Sequence, residues 1–113
     1  MIFDTSTVIA YVRMRKEIYD KITAVTYVEY PRIIYYRGFH GVIVFPTVED
    51  FITAHRLQLK LMEWGLPQQF PDLLIASIAA NRREKLKTRD KGYEVIRRAA
   101  DQLGYALELE VED

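Results

Sequence analysis

Four acidic residues are the side chains best placed for chemistry, because each lies next to the start or end of a predicted element. They are Asp4, Glu29, Asp72 and Asp90. Two of them follow short runs predicted as strands, and the other two lie in the predicted first turns of helices. If the fold brings the four carboxylates together, their repulsion and lost hydration require bound protons or a cation.

The chemistry of these side chains favours a divalent metal. Oxygen ligands suit Mg²⁺ or Mn²⁺, which keep several water molecules and bind substrate phosphates. Such a metal lowers the pKa of a bound water and neutralises charge growing on phosphate oxygens, so the carboxylates indicate phosphodiester hydrolysis. The chain has no cysteine, which excludes disulfides, Cys-ligated zinc and thiol nucleophiles.

Strands and helices are predicted to alternate along the chain. The predicted strands are 1–3, 22–25, 42–45, 86–88 and 105–111, and the predicted helices are 7–12, 26–37, 48–64, 71–79 and 93–103. Alternation of this kind indicates a parallel sheet covered by helices on both faces, with its strand-to-helix turns on one edge. Because sites in such sheets form at that edge, we expect the four carboxylates to meet there.

Each acidic residue also has an ordinary structural explanation. Thr26 and Glu29 match the Ser/Thr-x-x-Glu capping box, and Asp72 favours the helix dipole in a first turn. Asp4 and Asp90 are suited to capping the helices that follow their strands. Only joint placement on one edge distinguishes metal binding from capping, so both explanations stay open at this point.

The order of short motifs along the chain resembles that of PIN domains. The matching segments are Phe3-Asp4-Thr5-Ser6, Val25-Thr26-Tyr27-Val28-Glu29, Phe70-Pro71-Asp72-Leu73-Leu74 and Leu86-Lys87-Thr88-Arg89-Asp90. The resemblance implies one domain over residues 1–113 with a flavodoxin-like three-layer α/β/α sandwich and a mostly parallel central sheet. It also implies a metal-dependent ribonuclease that uses Mg²⁺ or Mn²⁺.

In that family the acidic residues are the metal ligands and catalytic groups. The resemblance therefore assigns those roles to Asp4, Glu29, Asp72 and Asp90, with Thr5, Ser6 and Thr88 as supporting hydroxyls. Many small members are VapC-like toxins of toxin-antitoxin pairs. They form homodimers and are silenced by an antitoxin protein that covers the site.

The sequence departs from the family pattern in three places. Gly92 stands where many members have a further aspartate, Tyr30-Pro31 interrupts the helix after the glutamate, and the segment before that glutamate is short. These departures favour the alternative of a PIN-like module that binds RNA or a protein without cleavage. A phosphoryl-receiving domain ranks last, because it needs paired acids after the first strand and Asp4 stands alone.

Charge and hydropathy give weaker indications of partners. Lys plus Arg and Asp plus Glu are both 16, so an RNA-binding surface must be a local cluster. The candidates are Arg82, Arg83, Lys87, Arg89 and Lys91, and a second group is Arg13, Arg15 and Lys16. Arg82 and Arg83 also suit an ordinary helix end.

Apolar residues off the main stripe of the long helix indicate an interface. They are Ile52, Leu59 and Met62, and a homodimer or antitoxin contact is expected there. The longest apolar run, 73–80, is too short to span a membrane, so we expect a soluble cytoplasmic protein with no membrane partner.

Overall fold

The computed structural model describes residues 1–112. Its strands are β1 (Ile2–Phe3), β2 (Ile22–Thr23), β3 (Ile43–Val44), β4 (Leu86–Thr88) and β5 (Leu109–Val111). Its helices are α1 (Thr5–Arg13), α2 (Ala24–Glu29), α3 (Val48–Glu63), α4 (Phe70–Arg82) and α5 (Tyr93–Leu103), and a 3₁₀ helix covers Pro31–Tyr35. None of the helices in this part of the chain is long and apolar enough to cross a membrane.

All described strand pairings are parallel. Strands β1, β4 and β5 pair in the order β1-β4-β5, and β2 pairs with β3. Lys21, just before β2, joins the two groups, since its carbonyl accepts from Phe3 N at 2.9 Å and its N–H donates to Met1 O at 3.2 Å. The strands therefore follow the spatial order β3-β2-β1-β4-β5.

Two hydrophobic cores lie on opposite faces of this sheet. Ile2 belongs to the core shared with α3, α4 and α5, whereas its neighbour Phe3 belongs to the core that contains Val8 of α1 and Ile33 of the 3₁₀ helix. Successive strand residues point to opposite faces, so β1 contributes one side chain to each core. This arrangement confirms the predicted three-layer α/β/α fold.

Helices α3 and α5 follow their predicted limits to within one residue, whereas α4 begins one residue before its predicted start and ends three residues beyond its predicted end. Local groups fix the limits that agree. Thr47 and Asp50 form a reciprocal capping box at the start of α3. Pro71 occupies the first turn of α4, where its missing N–H has no helical partner to lose. Gly104 ends α5 with φ +85°, a conformation that glycine adopts without steric cost.

The predicted capping box at Thr26 and Glu29 is wrong. Thr23 is the N-cap of α2 and accepts from the N–H of Thr26, so Glu29 is the last residue of this short helix. Pro31 follows and begins the 3₁₀ helix, because its ring opposes continuation of an α-helix. The last strand is also shorter than predicted, since only Leu109–Val111 pair with β4.

Candidate functional site

Asp4 is the central acid of the site. It follows β1, caps α1 through Thr7 N at 2.9 Å, and is only 3% exposed. Ser6 Oγ lies 2.9 Å from both carboxylate oxygens, and Thr88 Oγ1 donates to Oδ2 at 2.6 Å. These neutral donors satisfy the buried oxygens, and within residues 1–112 no cation pairs with Asp4.

Thr88 connects Asp4 to Asp90. Its hydroxyl donates to Asp4 and accepts from the N–H of Asp90 at 2.9 Å. Asp90 is exposed, and its Oδ1 accepts from Gly92 N at 2.8 Å in a local turn. A Cβ on Gly92 would lie 3.1 Å from that oxygen, so the glycine allows the carboxylate to stay close to the backbone.

Glu29 reaches the same edge from the end of α2. Thr5 Oγ1 donates to Glu29 Oε1 at 2.7 Å, and the same hydroxyl lies 2.8 Å from Thr26 Oγ1. Because Thr5 directly follows Asp4, this contact brings the exposed Glu29 beside the buried acid. The glutamate therefore joins the cluster even though its helix position was wrongly predicted.

Asp72 completes the group from the first turn of α4. Its Oδ1 accepts from the buried Tyr93 hydroxyl at 3.2 Å. Burial raises the pKa of Asp72, and the charges of Asp90, Asp4 and Glu29 raise it further, against the opposing effect of the Tyr93 hydrogen bond. The four predicted acids therefore lie close enough to interact electrostatically. Tyr93 also has a pKa raised well above its usual value, by burial first and then by Asp72.

The four carboxylates do not converge on one point. Within residues 1–112 no three His, Cys, Asp or Glu side chains are arranged to hold a metal ion together. None of the ion pairs in that range involves these four acids either. The donor set fits a hydrated Mg²⁺ or Mn²⁺, because such ions use one or two carboxylates and retain several waters.

The predicted hydroxyl groups lie in the site, together with one group that the sequence pattern did not identify. Thr5, Ser6 and Thr88 each hydrogen bond to an acid, as described above. Tyr93 begins the predicted helix 93–103 and was not among the predicted site residues. Its ring is indeed buried, and no helical periodicity would have shown that its hydroxyl reaches Asp72.

The predicted RNA-binding cations separate into two groups. Arg89 and Lys91 are exposed on the loop that carries Asp90. Lys87 has a side chain only 14% exposed, and it contacts Tyr11, Glu110 and Glu112. Arg82 and Arg83 lie at the C-terminal end of α4, whereas Asp72 lies in its first turn.

Arg82 and Arg83 therefore lie far from the acidic residues. Ten residues of helix between Asp72 and Arg82 correspond to a rise of about 15 Å. Arg82 is paired with Glu84 at 2.9 Å. These features favour the helix-end explanation for Arg82 and Arg83 and leave the loop cations as the candidates nearest to the acids.

Comparison with known proteins gives the fold. No family model and no curated protein matches the sequence. The structure resembles a chain of DNA-bound VapBC from Salmonella typhimurium with a TM-score of 0.75 and 15% identity, covering 97% of this chain and 96% of that one.

Two further solved structures agree. A chain of VapBC2 from Rickettsia felis, bound to a promoter DNA fragment, gives a TM-score of 0.66 at 19% identity, with 100% of both chains covered. A chain of VapBC-1 from nontypeable Haemophilus influenzae gives 0.68 at 16% identity, with 98% of both covered. At these identities the likeness shows the fold, and it confirms the predicted PIN-domain architecture.

Proposed function

We propose that this protein is a metal-dependent endoribonuclease and the VapC-like toxin of a toxin-antitoxin pair. The observation that carries the proposal is the environment of Asp72. Its carboxylate is partly buried near three further carboxylates, and the part of the chain that the structure describes supplies no Lys or Arg to pair with them. Carboxylates gathered in this way favour a bound cation, which relieves their repulsion.

The side chains divide into ligands and supports. Asp4, Glu29, Asp72 and Asp90 would hold Mg²⁺ or Mn²⁺ between them, directly or through water. When bound, the metal supplies a water of lowered pKa and charge neutralisation at the phosphate. The chain itself fixes the ligand oxygens, because Thr88 and Ser6 hold Asp4 and the Tyr93 hydroxyl holds Asp72.

This protein has an apolar groove beside Glu29 that is suitable for an antitoxin to cover. A groove of about 310 Å³ is lined by residues of α2, α3 and α4, including Val28, Phe51 and Phe70. The two phenylalanine rings lie 6.1 Å apart, and Val28 is 75% exposed. Exposed apolar surface next to an active site is typical of a surface that a partner covers. The partner proposal also draws support from the likeness to chains of VapBC structures.

The first test is cleavage of a mixed single-stranded RNA panel by purified protein with Mg²⁺ or Mn²⁺. We expect cutting that a chelator stops and that the double variant Asp4→Asn, Asp72→Asn loses. Asp101→Asn is the matched control, because Asp101 is exposed on α5 and its only ion pair within residues 1–112 is with Arg97. Both proteins must be folded and free of a copurified partner. If the wild type and the double variant are then equally inactive with every metal, the proposal of an enzyme is refuted.

A second candidate function is a PIN-like module that binds RNA or protein without cleavage. Two observations favour it: the acids do not converge on one point within residues 1–112, and Asp90 Oδ1 is engaged by Gly92 N. The same assay separates the two functions. RNA that is bound but remains intact with both metals would support the binding module.

A further inference from the structure

A shallow groove runs along α1 next to the acidic site. It has a volume of about 340 Å³, and it is lined by Ser6, Ile9, Ala10, Arg13, Met14 and Arg89. Its apolar part comes from α1 and the residue after it, and Met14 is 46% exposed. Its cationic part comes from one arginine of α1 and one arginine of the loop after β4.

The two arginines are free to bind an anion. Both are exposed, and no carboxylate within residues 1–112 forms an ion pair with either Arg13 or Arg89. By contrast, Arg97 pairs with both Glu94 and Asp101. A guanidinium without an internal partner can form paired hydrogen bonds with a phosphate.

Ser6 joins this groove to the acidic site. Its hydroxyl lies 2.9 Å from both oxygens of Asp4, and it accepts from the backbone N–H of Arg89 at 3.3 Å. The groove therefore begins at a residue that directly contacts the buried acid. An extended polymer lying in the groove would reach the carboxylates at its end.

We infer that this α1 groove binds the single-stranded RNA segment next to the scissile phosphate. Arg13 and Arg89 bind phosphates of that segment, and Ile9 and Met14 contact a base or ribose. The inference rests on the proposed ribonuclease function. Single-stranded RNA carries an anion at every nucleotide and a flat apolar base between anions, which complements a groove that has both cations and apolar surface.

The test measures RNA binding separately from cleavage. The affinity of the whole chain for a labelled single-stranded RNA is measured by fluorescence anisotropy, with a chelator present and at several salt concentrations. The double variant Arg13→Ala, Arg89→Ala should bind on the order of tenfold more weakly at 0.15 M salt. Its plot of log affinity against log salt should be less steep by about 1.4, or roughly 0.7 for each lost phosphate contact.

Two further variants separate charge from apolar contact. Met14→Gln should weaken binding a few-fold without changing the salt slope, because it removes apolar contact and no charge. Arg98→Ala is the matched control, since Arg98 is an exposed arginine of α5 that lines a separate pocket with Trp64 and Leu66. It should bind RNA like the wild type. Thermal unfolding of every variant confirms that each is folded.

The outcomes are distinct from those of the cleavage test. Unchanged affinity and slope in the double variant would overturn this inference, including the case in which the groove binds an acidic protein segment instead. Cleavage by the wild type would still support the ribonuclease. Loss of RNA affinity in the double variant would support the groove even if no metal produced cleavage.

Discussion

Neutral hydroxyl groups hold three of the four acidic side chains of the site in place. Asp4 accepts hydrogen bonds from the hydroxyls of Ser6 and Thr88. Glu29 accepts one from Thr5, and Asp72 accepts one from Tyr93. A hydroxyl donor orients a carboxylate and adds no positive charge to the site. Hydrogen bonds therefore orient the acids, while no ion pair among residues 1–112 involves them. We expect this shortage of positive charge to have a measurable effect on stability.

Asp72→Asn should stabilise the metal-free protein near neutral pH. The folded-state pKa of Asp72 is raised, so the folded protein binds this proton more tightly than the unfolded chain does. Stability from this group is present below its unfolded pKa and is lost as pH rises through its folded pKa. We expect the variant to unfold at a higher temperature than the wild type at pH 7 and at the same temperature near pH 3.

Calorimetry in chelator checks this prediction, with Asp101→Asn as the control. Asp101 forms an exposed pair with Arg97, so its removal should change stability by no more than about 1 kcal/mol. A lower unfolding temperature for Asp72→Asn at pH 7 would contradict the electrostatic account. In a separate measurement without chelator, added Mg²⁺ should stabilise the wild type more than Asp72→Asn.

Residue types and their order along the chain predicted the candidate acids and the supporting hydroxyls Thr5, Ser6 and Thr88, but not which acid each hydroxyl contacts or the role of Tyr93. The positions of Asp4 and Asp90 follow from their places after parallel strands. The contact of Thr5 with Glu29, and that of Tyr93 with Asp72, depend on how separate helices pack. A periodic pattern reports burial of the Tyr93 ring and contains no information about the partner of its hydroxyl.

Strand β4 carries an ionic cluster as well as a site residue. Lys87 donates to the Tyr11 hydroxyl at 3.0 Å and lies 3.4 and 3.3 Å from carboxylate oxygens of Glu110 and Glu112. The Tyr11 hydrogen bond and the two glutamates raise the pKa of Lys87, against the opposing effect of burial. Its ammonium also lies 5.6 Å from the centre of the Phe3 ring. The side chain thus connects β4 to α1 and to the end of β5.

Lys87→Met should therefore reduce stability and leave RNA binding unchanged. Loss of the cation leaves Glu110 and Glu112 without their partner, and we expect the free energy of unfolding to fall by about 1–3 kcal/mol. Lys85→Met is the matched control, because Lys85 pairs with Glu108 at 3.9 Å on the surface. That change should stay within about 0.5 kcal/mol.

Denaturant unfolding measures both variants, and the anisotropy assay measures their RNA affinity. A similar loss of stability in Lys85→Met would show that the buried position of Lys87 has no special role. Weaker RNA binding by folded Lys87→Met would instead restore Lys87 as an RNA contact.

The elements that the sequence predicted well are those with local end signals. Helix α3 has its own capping box and α5 its own glycine, so neither boundary depends on distant contacts. Helix α2 has only six residues, and either Thr23 or Thr26 is a suitable cap by type. Which threonine caps the helix depends on where β2 ends, and that is set by its pairing with β3.

At the scale of the whole molecule, one face of α3 carries three exposed apolar side chains. Ile52, Leu59 and Met62 are 40%, 52% and 60% exposed, while Ala54, Leu57 and Leu61 on the other side of the helix are buried in the core. The spacing of the exposed residues places them along one side of the helix. The six residues that line the α1 groove do not belong to α3, so pairing of two copies through α3 would leave that groove open.

We expect the protein to form a homodimer through this face of α3. A two-fold axis would bring the same apolar residues of both copies together, which removes exposed apolar surface from water without requiring another partner. Light scattering at micromolar concentration should give twice the 13.3 kDa chain mass. The double variant Leu59→Glu, Met62→Glu should give the mass of one chain, because four negative charges would then meet across the axis. Ile34→Glu, which changes an exposed apolar residue of the 3₁₀ helix, should leave the dimer intact. A single-chain mass for the wild type would refute the homodimer, and a dimer that persists in the double variant would place its interface on another face.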